Sequence, residues 1–496
     1  MFQKITYDDA VNNRVFNDTV TNRIVTILPA HDEENDIGDA LASLKKSSIP
    51  NDIELDIFIV LDNCTDNTEG VIKDNADGLN IYVMETVNNK DRKVGALNQA
   101  YRLFFGDSSE MAEPLSDIHL RSVDKIVAYL GMDADVYLEK DAITTLYDEL
   151  NERYDIGGIS ANYTCLLPES KNRLRKDDPE AELKIKNGKF GGPMARFITV
   201  QQNKSFSEWT IQQKNNGYQA TILGGQATLF RPNALQDIYD RLHFNGIYDS
   251  ATDTEDLLLT QQLRSLGWQA KISRSARCYV GAMKTMKAYS AQALKWRVGK
   301  LEYLTKAGIS TAYARLSWME EFTLWSNGIT RIALAILVPA SLLLNNFTYN
   351  WIFLLPLLFS VILNTIVAFK TPQKRFIDVF LSAITFSSEF AIWFDFITDI
   401  KSWREISRVE RKDTWASQYK AESGVGGGIN AGLVAVLSVL ALVILGLYFK
   451  VINIDSALQT IKPYINGGFN ILIYLVLFNT ILMVRKLFKI RGNFKA

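Results

Sequence analysis

The sequence contains few cysteines, and they do not form a disulfide or metal-binding pattern. Its 496 residues include three, Cys64, Cys165 and Cys278, and no C-x-x-C occurs. The odd number and wide spacing exclude a disulfide framework and argue against a structural zinc site. Such a chain is expected in a reducing environment that faces the cytosol.

The chain also lacks an excess of positive charge and an apolar N-terminal segment. It has 54 Lys and Arg against 55 Asp and Glu, a formal net charge of -1. Nucleic-acid binders carry a basic surface that neutralises phosphates, so we expect no nucleic acid as a partner. Residues 1–26 are polar, so we expect no secretion signal there.

The first 320 residues show short apolar runs that alternate with amphipathic ones. This alternation predicts an α/β domain with a mostly parallel sheet. Ligands of such sheets bind beyond the carboxyl ends of the strands. The predicted strands cover residues 23–29, 56–61, 80–84 and 125–131. The polar residues expected to converge beyond their ends are His31, Glu33, Glu34, Asp62, Asn63, Asp133 and Asp135.

Residues 321–496 differ in texture and predict a helical membrane domain. Four apolar segments, near the ~20 residues that span a bilayer, cover residues 327–347, 350–369, 429–449 and 465–484. Fourteen Lys and Arg lie in residues 370–375, 401–420 and 485–495. The positive-inside rule places these three Lys- and Arg-rich stretches in the cytoplasm, together with the N-terminal half and both termini.

That arrangement requires the fifth apolar segment, residues 376–400, to begin and end on the cytoplasmic side. It carries Asp378, Glu389, Asp395 and Asp399, each costing roughly 3 kcal/mol at a bilayer centre. Its polar residues fall mostly on one side of a helical wheel. We therefore predict an interfacial helix that lies along the membrane. A charged, Gly- and Pro-containing stretch at residues 167–193 is predicted to be a mobile surface loop.

Asp133 and Asp135 are one residue apart and follow a predicted strand. Alternate residues of an extended strand end point the same way, so both carboxylates can share one Mg²⁺ or Mn²⁺ ion. Such an ion neutralises the charge of a departing nucleotide diphosphate. Acidic pairs are also common in ordinary loops, so this pattern alone does not establish a metal site.

Polar groups after the first two strands could bind a nucleoside, but helix capping is the alternative. Of these two roles we favour ligand binding for Asp62 and capping for Asp66. Capping alone would explain Asp32. Lys93 opens a predicted helix, where an ammonium and backbone N–H groups could meet a phosphate. An exposed lysine is more often simply solvated.

Residues 252–256 hold three acidic residues just before a helical run. Capping needs fewer carboxylates than that. If a sugar hydroxyl is the attacking group, one carboxylate must accept its proton, and Asp256 is preferred over Glu255 and Asp253.

A predicted helix at residues 286–305 carries Gln292, Lys295 and Trp296 at i, i+3 and i+4. An amide, a cation and an aromatic ring on one face suit a sugar. The equally weighted alternative is that Trp296 anchors the helix at the membrane interface while Lys295 and Arg297 meet headgroups. Gly225 could let the backbone approach an acceptor closely, although an ordinary turn explains it as well.

In order, these segments read P-A-H-D-E-E, L-D-N-C-T-D-N-T, K-V-G-A-L-N, D-A-D, G-G-Q-A-T-L-F-R, T-E-D and Q-A-L-K-W. With the two pairs of spans, this set resembles the processive membrane-embedded family 2 glycosyltransferases over residues 22–486. That family includes the synthases of cellulose, hyaluronan and poly-N-acetylglucosamine.

The resemblance implies a GT-A catalytic domain that transfers sugar from a UDP-sugar to a growing β-linked polysaccharide with inversion. It implies a bacterial cell membrane as the location. The roles it implies are donor binding by Ala30, Glu33, Asp62, Lys93, Asp133 and Asp135, metal binding by Asp133 and Asp135, catalysis by Asp256 with Glu255, and acceptor or diphosphate binding by Gly225, Gln292, Lys295, Trp296 and Arg297.

The sequence departs from the family in three respects. Lys295 stands where the Q-x-x-R-W pattern has Arg, and lysine cannot form a bidentate fork with phosphate. We expect no spans before the catalytic domain, so secretion would rest on four spans, on an oligomer or on an export partner. The loop at residues 402–424 takes the place of a gating loop without matching its usual pattern.

Two other functions remain open from the sequence. One is non-processive transfer of a single sugar to a polyprenyl phosphate, although such enzymes lack a Q-x-x-R-W helix. The other is a non-catalytic channel or export subunit with a regulatory nucleotide site.

Overall fold

The computed structural model describes residues 2–4, 22–106, 125–166, 193–242, 246–250, 254–343, 350–408 and 455–490. The chain forms two compact units. The first comprises Met1–Phe190 and Ser205–Ala282, and the second comprises Gly191–Lys204 and Met283–Lys495.

The first unit is built on one mixed sheet, as the α/β prediction requires. In its described residues the strand order is β1-β4-β3-β2-β5-β8-β7-β9-β6, with β8 antiparallel to both neighbours and β6 antiparallel to β9. The strands are β1 Phe2–Lys4, β2 Asn22–Ala30, β3 Ile53–Leu61, β4 Asn80–Glu85, β5 Ile126–Gly131, β6 Tyr137–Leu138, β7 Ile156–Cys165, β8 Thr228–Phe230 and β9 Gln269–Val280. All four strands expected from the sequence are therefore confirmed.

Helices cover both faces of this sheet because its central strands point apolar side chains to both sides. Val25 and Ile27 of β2 face one core, while Ile24 and Leu28 face the other. On the first face lie α3 Arg92–Phe105, α6 Pro232–Leu242 and α7 Glu255–Ser265; on the second lie α1 Ile37–Lys46, α2 Thr68–Asp74 and α4 Ala142–Asn151.

The second unit is helical. The helix α5 Pro193–Asn215 begins in it. Its other helices within the described residues are α8 Met286–Ala307, α9 Ala312–Leu343, a 3-10 turn Trp351–Leu354 that leads into α10 Leu355–Lys370, α11 Phe376–Ser382, α12 Thr385–Ile406 and α13 Asp455–Lys489.

Three stretches of these helices are long and apolar enough to cross a membrane: Ala312–Ser341, Trp351–Lys370 and Pro463–Lys489. They correspond to three of the predicted spans. The fourth, residues 429–449, lies outside the described residues, as do most of the predicted gating-type loop and nearly all of the predicted surface loop at residues 167–193.

The segment at residues 376–400 is two helices where the sequence predicts one. The helices α11 and α12 meet at an angle of 70°, and the pair would make a fourth candidate if it counts as one broken span. Ser382 Oγ donates to the backbone oxygen of Asp378 at the end of α11, and Ile384 is extended. A hydroxyl that bonds its own helix backbone commonly bends the chain there.

The longer of the two segments of the second unit begins at Met283, and the expected domain boundary near residue 320 stays a prediction. The amphipathic helix α8 precedes the apolar segments but packs with them. Tyr289 stacks on Phe394 of α12 with ring centroids 4.4 Å apart, and Arg297 pairs with Asp399. Hydropathy detects the apolar spans but not the amphipathic helix that joins them.

Candidate active site

Four parallel strands of the first unit end at one edge of the sheet. Ala30 of β2 pairs with Leu61 of β3, Leu61 pairs with Glu85 of β4, and Ile27 of β2 pairs with Gly131 of β5. The segments that follow these strands therefore emerge side by side. This edge carries most of the acidic residues singled out in the sequence.

Asp62 is held at this edge with one carboxylate oxygen fully engaged. Its side chain is 5% exposed, and Oδ1 accepts hydrogen bonds from Asn63 Nδ2 at 2.9 Å, Thr86 Oγ1 at 2.9 Å and Asn89 Nδ2 at 2.7 Å. Among the described residues no donor is bonded to Oδ2. That oxygen is thus the one that could accept a hydrogen bond from a ligand.

Residues around Asp62 mainly shape its loop. The Ala30 oxygen accepts from the N–H of Asp62 at 2.8 Å and from Cys64 Sγ at 3.4 Å. The N–H of Glu33 donates to Thr68 Oγ1 at 2.8 Å. Ala30 is thereby committed to the scaffold through its carbonyl, and Glu33 is positioned by its backbone.

Asp66 caps a helix, whereas Asp32 binds a neighbouring loop. Asp66 Oδ1 accepts from the N–H of Thr68, the first residue of α2, as predicted. Asp32 does not cap the helix that follows it, since its Oδ1 accepts from the N–H groups of Thr65 at 2.6 Å and Asp66 at 3.3 Å. The two acidic residues tie the loops after β2 and β3 together.

Thr86 and Asn89 contact Asp62 but were not predicted as site residues. Both follow β4, and Asn89 Nδ2 also donates to the oxygen of Arg92 at 2.7 Å. Asn89 therefore links Asp62 to the start of α3. The rule applied to the other strand ends, that polar residues after a parallel strand face the ligand edge, would have identified them.

The first turn of α3 places Lys93 among acidic residues. Its Nζ lies 2.5 Å from Asp133 Oδ1 and 3.5 Å from Glu255 Oε1, and Glu255 is 7% exposed. Burial lowers the pKa of Lys93, but Asp133, Glu255 and Asp256 outweigh that effect, so the pKa is raised. The ammonium therefore stays charged.

Gly225 packs directly against this ion pair. A Cβ atom there would lie 2.9 Å from Lys93 Nζ and 3.2 Å from Asp133 Oδ1. The segment that leads into β8 can approach the pair this closely because residue 225 has no side chain.

Asp135 lies two residues after Asp133, at the same end of β5. Desolvation by surrounding protein atoms, followed by repulsion from Asp133 and Asp36, raises the pKa of Asp135 to about 7. No three His, Cys, Asp or Glu side chains in the described residues are grouped to hold a metal. Mg²⁺ and Mn²⁺ bound with a nucleotide commonly take one or two carboxylates and complete their shell with phosphates and water, so the Asp133 and Asp135 pair fits.

Asp256 lies in the first turn of α7, next to Glu255. Its Oδ1 accepts from the N–H of Leu257 at 2.8 Å, and its charge contributes to the raised pKa values of Lys93 and Tyr248. It therefore acts electrostatically on the Lys93 cluster. Asp253 lies outside the described residues.

The remaining predicted residues lie on α8 in the second unit. Gln292 Oε1 accepts from Gln202 Nε2 at 2.7 Å, Lys295 is 7% exposed, and Trp296 keeps 39% of its surface exposed. Arg297 Nη1 lies 3.2 Å from Glu321 and 3.4 Å from Asp399. The Arg297 guanidinium is thus engaged with carboxylates of its own unit.

Two family matches cover most of the first unit and part of the second. Residues 26–238 match the family described as Glycosyl transferase family 2, and residues 190–369 match Glycosyl transferase family group 2. The family match and the sheet topology identify the first unit as a GT-A-like α/β domain, and apolar helices follow it. No curated protein matches the chain.

Solved structures that resemble the chain do so at low identity. A mannosyltransferase PcManGT from Pyrobaculum calidifontis, solved with GDP-Man and Mn²⁺, is 14% identical with a TM-score of 0.37, and the match covers 93% of this chain and 92% of that one. S. aureus TarS 1-349 is 15% identical with a TM-score of 0.34 and coverage of 78% and 93%; its complex with UDP has a TM-score of 0.33.

Proposed function

We propose, from the premise that the chain carries glycosyltransferase family 2 domains, that it extends a β-linked polysaccharide from a UDP-sugar at the cytoplasmic face of the cell membrane. The observation that supports this most is the cluster of Lys93, Asp133, Glu255 and Gly225 at the carboxyl ends of the strands. In this proposal residues 1–320 form the catalytic domain and residues 321–496 the membrane domain.

The donor lies along the strand ends in this proposal. Asp62 Oδ2 accepts a hydrogen bond from the nucleobase, with Ala30 and Glu33 beside it, while Lys93 faces the diphosphate. Asp133 and Asp135 would hold Mg²⁺ or Mn²⁺, which supplies neutralisation of the charge on the departing diphosphate. The three hydrogen bonds on Asp62 Oδ1 support its role, because they fix the carboxylate before a ligand arrives.

Asp256 is the proposed general base, with Glu255 beside it. It removes the proton from the acceptor hydroxyl as that oxygen attacks the anomeric carbon, and UDP leaves from the opposite side. A single displacement of this kind inverts the configuration and needs no protein nucleophile.

In this proposal Gln292 and Trp296, both on α8, contact the acceptor. Gln292 uses its oxygen to accept from Gln202, which leaves its N–H donors for a sugar or phosphate oxygen. An exposed indole ring suits a sugar face. To reach a phosphate, Arg297 would have to leave Glu321 and Asp399, and Lys295 would have to leave its buried position.

The decisive experiment is Asp256→Asn in the full-length protein. We expect transfer to fall by about 10²–10⁴-fold, the usual contribution of a general base, while UDP binding is retained. Asp240→Asn serves as the matched control. Asp240 is an exposed acidic residue on α6, and its Oδ1 accepts a hydrogen bond from Gln236. Full transfer activity in Asp256→Asn would contradict the assignment of Asp256 as the base, whereas a wild-type protein that transfers no sugar would favour a non-catalytic subunit.

Substrate and product are identified with membranes that contain the protein. Each radiolabelled UDP-sugar is supplied in turn, with and without Mn²⁺, and product length is measured. A polymer from one UDP-sugar, abolished by EDTA and restored by Mn²⁺, is the expected result. A lipid that carries a single sugar would instead indicate transfer to a polyprenyl phosphate.

A further inference from the structure

The Lys93 ammonium lies between two carboxylates, in a position where a divalent cation could otherwise bind. It lies 2.5 Å from Asp133 and 3.5 Å from Glu255, and the side chain is 21% exposed. In the described residues Asp133 forms an ion pair with Lys93 alone. Asp133 is also one of the two carboxylates assigned above to Mg²⁺ or Mn²⁺.

Gly225 closes the space around this pair. Because a Cβ atom there would already lie 2.9 Å from the ammonium, there is little room to add a hydrated cation while Lys93 stays in place. A cation that binds Asp133 must therefore displace the ammonium or approach it closely, and like charges at short distance repel.

The net charge that a ligand adds determines whether displacement of the Lys93 ammonium is favourable. A divalent cation that arrives alone adds two positive charges beside Lys93. A divalent cation that arrives with a sugar-nucleotide diphosphate adds none, because the two phosphates carry two negative charges. The diphosphate also gives the displaced ammonium a new partner.

We propose that Lys93 is a built-in counter-cation that opposes binding of the divalent cation alone and favours its binding together with the donor diphosphate. In the ligand-free protein it neutralises Asp133 and Glu255. When the cation and the diphosphate bind together, Asp133 would bind the cation and Lys93 would form an ion pair with the phosphates. This rests on the proposed function for the identity of the donor.

The test measures Mn²⁺ binding to the full-length protein without nucleotide, from the electron paramagnetic resonance signal of free Mn²⁺. In Lys93→Met we expect Mn²⁺ alone to bind at least about tenfold more tightly, given the coupling typical of close charge pairs. In saturating Mn²⁺, the same variant should bind UDP about tenfold more weakly. A residue that only supports the fold would weaken both.

Two controls isolate the charge at this position. Lys93→Arg keeps the charge and should bind Mn²⁺ alone as weakly as the wild type. Lys90→Met removes an exposed lysine that pairs with no described residue, so it controls for net charge and should also match the wild type. If Lys93→Met does not fold, Lys93→Gln keeps a hydrogen-bond donor to Asp133 without the charge and serves the same measurement.

Unchanged or weaker binding of Mn²⁺ alone in the neutral variants would overturn the inference. Failure of the donor assignment appears separately, as wild-type protein that binds Mn²⁺ but not UDP. In either case, the difference in affinity for Mn²⁺ alone between the wild type and the Lys93 variant tests the role of Lys93.

Discussion

At the scale of single residues, Asp62 shows how a binding carboxylate is held in place before its ligand arrives. Its Oδ1 takes three hydrogen bonds from side chains that follow two different strands, and its other oxygen faces none of the described donors. Hydrogen bonds to a charged group contribute about 1.5–3 kcal/mol each. Removing one should therefore be measurable in donor binding.

We predict that Thr86→Val weakens UDP binding by about tenfold, because valine keeps the shape of threonine but cannot donate to Asp62. Thr86→Ser keeps the hydroxyl and should restore most of the affinity. Isothermal titration with UDP and Mn²⁺ measures both. Wild-type affinity in Thr86→Val would show that the third bond on Oδ1 does not position the carboxylate.

Gly225 gives a second prediction at this scale. The added methyl of Gly225→Ala would crowd the Lys93 ammonium and Asp133, so we expect transfer to fall by about tenfold with little change in thermal stability. Gly467→Ala, where an added Cβ meets nothing within 4 Å, is the matched control. Equal activity of the two variants would contradict the prediction.

At the scale of elements, strands β2 and β3 share a buried ion pair. Arg23 Nη1 lies 2.7 Å from Asp56 Oδ2, and the two side chains are 1% and 0% exposed. Burial raises the pKa of Asp56, and the hydrogen bond from Arg23 opposes this. The pair sits within the central parallel sheet, where an uncompensated charge would be costly.

We predict that Asp56→Ala destabilises the protein by about 3–5 kcal/mol, because it leaves the Arg23 charge buried with the more distant, partly exposed Glu54 at 3.7 Å as its carboxylate neighbour. The double variant Arg23→Met and Asp56→Leu should recover most of that loss, since it removes both charges. Thermal unfolding in detergent gives the comparison. Lys45→Ala, which breaks the exposed pair with Asp77, should change the midpoint little. A double variant as unstable as Asp56→Ala would be the contrary result.

Elements were predicted well where the local pattern alone determines them. The apolar runs predict β2, β3, β4 and β5, and periodicity predicts α8 to within two residues. The break between α11 and α12 was missed because no proline or glycine marks it. The hydrogen bond from Ser382 to the backbone at the end of α11 leaves no signal in the apolar pattern from which helices were predicted.

The candidate site was predicted in part. Asp133, Lys93, Glu255 and Gly225 were each singled out, but their mutual contact depends on strand order, which the sequence does not display. Gly225 was expected to face an acceptor, and in the structure it meets the ion pair. Arg297 was expected to contact phosphate, and in the structure it meets Glu321 and Asp399, which lie far along the chain.

At the scale of the whole molecule, the apolar helices of the second unit expose large side chains that water would solvate poorly. Ile336, Ile471 and Ile481 are each more than 60% exposed. Such surfaces are stable against lipid. The three candidate spans therefore support association with a membrane.

We predict that the protein stays in the membrane fraction after an alkaline carbonate wash and is released by detergent. A peripheral protein bound by charge would be released by the wash, so one serves as the control in the same preparation. Quantitative immunoblotting of pellet and supernatant measures the split. Release of this chain by carbonate would show that the apolar helices do not span the bilayer.

The reversed direction of β8 has a consequence for engineering. Its first residue, Thr228, lies opposite the last residue of β5, Gly131, so the chain reaches the ligand edge before β8 and leaves it afterwards. Sequence libraries that aim at this edge should therefore vary the partly exposed residues within 221–226 and keep Leu223 and Ala227, which are buried.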